Sequence, residues 1–439
     1  MLLALTVVGG PVAGQPKDGD LIINAAKTST LSSYTAYLDP AKPGMVRTIL
    51  SGPASTHSHS AVRMAENNTD LVLFHSEAVF GTTDLATLTP AGALPTLHRL
   101  PGRPVGFELD HDATWVIALN IPVQQTSWNI WALAGLSGST VRAFAVLFSN
   151  PVGRCSYQWD NLVIDRDPGA YPYCLTDWKG CQGFGSPNLV MASRTGIAST
   201  VGLRTIKSTH FDLDPRSGDY VHLVPDPGFF DSTIERSDKK GMIKARVVVN
   251  GYHMSRVRIT QDNHAWIAAN TASSNQPALL EFDLSRNAVV STLVLSSLGP
   301  STLTGVDIYG SRRLVCNQPP TTPNTVTINV QSRNPQAAGA SYILAASPTR
   351  RPGMKFANGE WLDLDVTDPL FFLTAQNRAP QVFANFRGTL DPKGNNTKPI
   401  RVNIPPGLPQ PGKTAIFVGG VIYKGSNIIQ VTNSHWFVY

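Results

Sequence analysis

The side chains best suited to chemistry gather just ahead of apolar runs. In "ITQDNHAWIA" (259–268), Asp262, Asn263 and His264 stand in a row before Trp266. "FELDHDATW" (107–115) collects Glu108, Asp110, His111 and Asp112, and "HFDLDPRSGDY" (210–220) adds His210, Asp212, Asp214 and Asp219. An imidazole beside a carboxylate can serve as general acid or base. The oxygens of Glu108, Asp110 and Asp112 also suit a hard divalent cation such as Ca²⁺, which takes six to eight oxygen ligands. Each cluster has a plainer reading as a turn. Asp214-Pro215 followed by Ser217-Gly218 is turn chemistry, because proline fixes φ and glycine accepts positive φ.

Other chemistries find less support. "STHSHS" (55–60) puts His57 and His59 at alternate positions, which share one face of a strand, but no carboxylate stands nearby and an exposed loop is the expectation. There is no Gly-x-Ser-x-Gly, and "GFGSPN" (183–188) has neither a Walker pattern nor a following helix to present its amides to phosphate. Cys174 and Cys181 bracket "LTDWKG", read as a polar loop that a disulfide closes. Cys155 with Cys316 is a further candidate pair, and four cysteines leave three pairings open. Trp178, inside that loop between Asp177 and Lys179, is the aromatic best placed to stack on a ligand such as a sugar. The other tryptophans of this part of the chain, such as Trp115 and Trp266, are expected to pack between strands.

These clusters need a scaffold that brings distant turns together, and the repeat pattern supplies one. A polar turn followed by a short β-rich run recurs in "GDLIIN" (19–24), "NTDLVLF" (68–74), "LDHDATWVIA", "WDNLVIDRD" (159–167), "FDLDPRSGDYVHLV", "ITQDNHAWIA" and "GVDIYGSRRLVC" (305–316). The period is roughly that of a four-stranded propeller blade, about 40–50 residues. Between anchors lie further strands, such as the hairpin expected around "SRN" within 278–295. Seven anchors close into six blades if the strand at 305–316 joins the strands of residues 19–50; seven blades is the alternative. Such closure leaves no open sheet edge. The expected organisation is all-β: a propeller over 18–318, then a Pro/Thr-rich linker and a β-sandwich over 319–439, with strands in "SYILAAS", "EWLDLDV", "LFFLTA" and "TAIFVGGVIY".

Composition agrees with this class. The chain has 439 residues, 36 Gly and 33 Pro, with 15% charged residues and a formal charge of +6. Turn formers on this scale favour short strands. The basic residues come as isolated pairs (Lys239-Lys240, Arg312-Arg313, Arg350-Arg351), so the concentrated stripe of a nucleic-acid binder is missing. Residues 1–14 are apolar and end in small residues, as before a secretory cleavage site, although the first lysine is Lys17 and a first strand is the other reading. No segment has the length and hydropathy of a transmembrane helix. A secreted or periplasmic monomer is the expectation.

The units in which a polar turn precedes an aromatic and a β-run, as in "DNHAWIAAN" followed by "LLEFDL", resemble NHL-like and streptogramin-lyase-like propellers. The last part, with "SYILAAS", "LDLDVTDPLFFLTAQ", "FRGTLDPKG" and "IRVNIPPGLPQPGKTAIFVGGVIY", resembles a C-terminal β-sandwich of secreted bacterial proteins. The resemblance implies a fold and a secreted habit. The lyases of that group set paired His and Glu residues around a metal, and this sequence lacks their Glu-x-His pattern, so their activity is not carried over.

Two functions follow as expectations. One is a secreted, non-catalytic propeller that binds a surface or extracellular ligand, a glycan among the candidates. The other is a lyase or hydrolase of polysaccharide or ester, with Asp110, His111, His210, Asp212 and His264 converging in the central funnel.

Overall fold

The computed structural model describes residues 16–438 outside 17, 28–31, 43, 54–57, 66–69, 78–81, 101–102, 110–114, 123–127, 138–139, 152–155, 165–172, 181–186, 194–195, 203–209, 215–216, 226–230, 239, 261–263, 311–313, 318–324, 333, 350–352, 358–359 and 405–414. For most residues between 120 and 202 the backbone alone is described.

The chain folds as a β-propeller. Among the described residues, six four-stranded antiparallel sheets precede Gly310. The first combines Leu21–Lys27, Ser32–Leu38 and Arg47–Pro53 with Thr302–Ile308, a strand that comes from the far end of this region. The other five follow in chain order, each built from consecutive strands and beginning at Ser58, Arg103, Ser156, His210 and Tyr252. The strands Thr302–Ile308, Ser58–Met64, Arg103–Leu109, Ser156–Ile164, His210–Leu213 and Tyr252–Ile259 each form one edge of a sheet and neighbour one another in that cyclic order. They are the innermost strands.

Burial follows position in the sheet. The second strand of the sixth sheet, His264–Thr271, is buried at Ala265–Asn270, because neighbouring sheets cover both of its faces. The fourth strand of the fifth sheet, Ile243–Asn250, instead alternates half-buried and exposed residues up to Val248, the period-2 signature of a one-sided strand. Trp266 packs with Leu21, Ile23 and Leu303 of the first sheet, and Trp115 with Phe107 of its own, third sheet and Phe74 of the second. Both therefore fill the space between sheets, as expected from sequence. The "SRN" hairpin also forms. Asp283 Oδ1 accepts from the backbone N–H groups of Ser285 and Arg286, and Asn287 takes a positive φ of 49°.

Several local expectations change. Residues 58–60 of "STHSHS" belong to a strand paired with 74–76, and "LTDWKG" lies in the strand Tyr173–Gly180, paired on both sides rather than looped. Leu314–Asn317, read as the end of the propeller, pairs with Thr325–Val330 in a C-terminal sheet; the chain leaves the propeller at a turn where Gly310 takes φ 70°. "LFFLTA" is a helix, Pro369–Ala375: Asp368 caps it by accepting from Leu370 N–H, and Pro369 at its start has no N–H to lose. "EWLDLDV" gives only the two-residue strand Trp361–Leu362.

After Gly310, one sheet holds Leu314–Asn317, Thr325–Val330, Ile400–Asn403 and Phe383–Ala384, and a second is centred on Ser341–Ser347 and Ala415–Lys424. Val326, Ile328 and Val402 of the first share one apolar core with Tyr342, Leu344 and Val418 of the second. No helix among the described residues is long and apolar enough to cross a membrane.

Candidate functional site

The innermost strands carry a charged side chain at matching places. In the order of the sheets, Asp307, Arg63, Glu108, Asp212 and Arg258 lie opposite Ile22, Val72, Val116, Val221 and Trp266, near the start of each second strand. The fourth sheet has Val163 there, opposite Cys174. Each charge sits between two apolar residues in the sequence, and alternation along a strand puts those neighbours on the opposite face from the charge. Signs alternate between neighbours wherever both carry charge, and all five side chains are largely buried.

The charges answer one another across sheets. Arg258 Nε donates to Asp307 Oδ1 at 2.9 Å and Nη1 to Glu108 Oε2 at 3.1 Å, while Asp212 Oδ2 lies 3.9 Å from Nη1. Arg63 Nε donates to the same Glu108 oxygen at 2.9 Å. Burial lowers the pKa of Arg258, but Asp307, Glu108 and Asp212 more than offset it and hold the guanidinium firmly charged. Asp212 is shifted upward by burial, against the pull of Arg258 and of the N–H groups of Ile259 and Leu213.

Side chains also cap the backbone of the next sheet. Asp212 Oδ2 accepts from Ile259 N–H at 2.8 Å, and Asp307 Oδ2 accepts from Met64 N–H at 2.9 Å. In both cases the donor follows an arginine, Arg258 or Arg63, so one stitch is used twice. Innermost strands of adjacent sheets do not pair with each other, so these buried N–H groups need side-chain acceptors. His210 does the same: its Nδ1 accepts from Val257 N–H at 3.3 Å. Burial first, then Arg256, Arg63 and Arg258, hold its pKa well below the ordinary value, so the ring is neutral.

The sequence candidates therefore divide. Glu108, His210 and Asp212 are brought together at the centre, but as partners of arginines and backbone amides. Glu108, a candidate metal ligand, shares one oxygen between two guanidiniums, which is ion-pair chemistry. Among the described residues no group of three or more His, Cys, Asp or Glu side chains is placed to hold a metal ion. Asp214 and Asp219 form the expected turn, with Asp214 N–H donating to Asp219 O and Gly218 at φ 71°, and both carboxylates meet Arg236. His264 sits on a second strand, its Nδ1 2.6 Å from Glu281 Oε1, away from the innermost positions. Asp110, His111, Asp112, Asp262, Asn263, His57, Cys155 and Cys181 lie outside the described residues. Trp178, Cys174, Cys316 and His59 are in strands whose side chains are not described at these positions.

Arg63, Arg258 and Asp307 were missed from sequence. Their signal is a lone charge inside an apolar triplet, Val62-Arg63-Met64, Val257-Arg258-Ile259 and Val306-Asp307-Ile308, which repeats in Phe107-Glu108-Leu109 and Phe211-Asp212-Leu213.

No protein-family model matches the chain, and no curated protein matches it. Solved structures similar to it include a candidate gluconolactonase (12% identity, TM-score 0.39, 63% of this chain and 86% of that one). Another is the Dos1 propeller (11%, 0.35, 64% and 74%). A third is hydrazine synthase of Kuenenia stuttgartiensis (12%, 0.38, 62% and 76%). At this distance no activity transfers, and the propeller assignment stands on the chain's own sheets.

Proposed function

We propose that this chain is a secreted, non-catalytic, six-bladed propeller of NHL-like type with a C-terminal β-sandwich, and that it binds a surface or extracellular ligand, a glycan being the class to test first. One observation carries the non-catalytic half of this reading. His210 and Asp212, the candidate acid–base groups that meet at the centre, spend their acceptor atoms on Val257 and Ile259 N–H. A general base needs its lone pair facing substrate. Buried acceptors committed to backbone amides hold sheets together instead. Trp178 remains the aromatic through which a sugar ring would stack.

The test pairs binding with turnover. Purified protein is presented with arrays of neutral and acidic polysaccharides, and the same polymers and simple esters are incubated with it with and without Ca²⁺. Saturable binding without product, weakened severalfold in Trp178→Ala, is the expected result. Product formation that disappears in His264→Ala or His111→Ala overturns it in favour of a funnel lyase or hydrolase.

A further inference from the structure

We propose that Asp307 and Arg258 form the clasp that shuts the propeller ring, and that the alternating charges of the innermost strands fix which strand takes the closing place. The need for a clasp follows from topology. The first sheet takes three strands from residues 21–53 and its innermost strand from 302–308, so the ring is continuous only while that last strand stays docked. Its backbone holds it to Leu21–Lys27, with a register shift between Asn24 and Ala25 that interrupts the ladder.

Asp307 lies two residues from the Gly305 that faces Asn24 at this irregularity, and it reaches both flanking sheets at once. Oδ1 accepts from Arg258 Nε of the sixth sheet, and Oδ2 accepts from Met64 N–H of the second. Through Arg258 the contact extends to Glu108 of the third sheet, and through Glu108 to Arg63 of the second. One carboxylate on the closing strand thus joins residues separated by 49 and 243 positions in the chain.

The same arrangement excludes wrong closures. Asp307 is fully buried, and a buried charge without a partner is strongly unfavourable. A shift of the closing strand by one residue would turn Val306 or Ile308 toward Arg258 and send Asp307 into the apolar packing. A second negative charge at position 258, or a positive one at 307, would set like charges side by side. Buried ionic groups are best attested in this role of setting register. Shape also contributes at this seam: a Cβ on Gly305 would meet Val62 N at 3.2 Å, so the neighbouring innermost strands approach closely here.

Hydrogen–deuterium exchange on the full chain tests the clasp. Asp307→Asn keeps the shape and an acceptor for Met64 N–H but removes the charge. Arg258→Lys keeps the charge and loses the fork that spans Asp307 and Glu108. Glu235→Gln, which disturbs the Arg246–Glu235 pair on outer strands of the fifth sheet, is the control. Both clasp variants are expected to raise exchange at least tenfold in 21–27 and 302–308 and to leave 341–347 and 415–424 unchanged. Failure of both to fold while the control folds is the same result at greater amplitude. Unchanged exchange at the seam in folded variants, or an equal rise in the C-terminal sheets, overturns the proposal.

Discussion

His222 and Ser237 face each other inside the fifth sheet, with Nε2 2.9 Å from Oγ and both residues almost fully buried. The imidazole lies against Phe211, ring centroids 5.8 Å apart and nearly parallel. Burial lowers its pKa from 6.5 to about 4. The unfolded chain therefore binds a proton at a pH where the folded one does not. This contribution to stability is fully present above pH 6.5 and is lost as the pH falls toward 4, about 3 kcal/mol in all. His210 acts in the same direction. Asp212 acts oppositely, since a raised carboxyl pKa favours the folded state at low pH. The melting temperature should drop between pH 7 and pH 4.5, and His222→Gln should flatten that slope. A wild-type slope identical to that of the variant would rule out His222 as its source.

Trp266 joins the sixth sheet to the first, packed among Leu21, Ile23 and Leu303. Trp266→Ala leaves a cavity at the ring's seam and should cost about 3–5 kcal/mol. Urea denaturation followed by circular dichroism measures it, with Trp115→Ala expected to behave alike between the second and third sheets. A cost below about 1 kcal/mol would mean that the seam does not depend on this ring.

What sequence made legible was the part of the fold set by local patterning. Trp266 and Trp115 follow polar turns and open apolar runs, and both are interior. The "SRN" hairpin and the Asp214–Asp219 turn follow from the conformations that Asn and Gly permit. The site was harder to read. Lone charges such as Arg258 look like ordinary polar alternation until topology arranges six innermost strands in a ring, five of them charged at the matching place. "LFFLTA" failed for a different reason: six residues are too few to show a helical period, and the decisive signal was Asp368-Pro369 just before them.

The second C-terminal sheet contains its own constraint. A Cβ on Gly420 would lie 2.1 Å from Ile343 O and 2.9 Å from Leu344 Cα, all backbone of the paired strand. Gly420→Ala must therefore push Ser341–Ser347 away from Ala415–Lys424, and a loss of roughly 1–3 kcal/mol is expected. Gly44→Ala, with open space around it, should be close to neutral and calibrates the measurement. Equal melting temperatures for the two variants would contradict the close approach.

His264 offers the sharpest separation between the two functions considered. Its side chain and that of Glu281 are 27% and 24% exposed, so solvent screens their 2.6 Å contact. If the pair only trims the end of a sheet, His264→Ala should cost under about 1 kcal/mol and leave glycan binding unchanged. Its Cα partner is Asp283, whose carboxylate is already held by Ser285 and Arg286 backbone N–H groups. The nearest innermost charge in the register is Arg258, opposite Trp266, and it is spent on Asp307 and Glu108. Calorimetric binding and thermal melts on the same preparation distinguish the outcomes. A tenfold loss of affinity at unchanged stability would place the ligand at this end of the sixth sheet and make His264 part of the site.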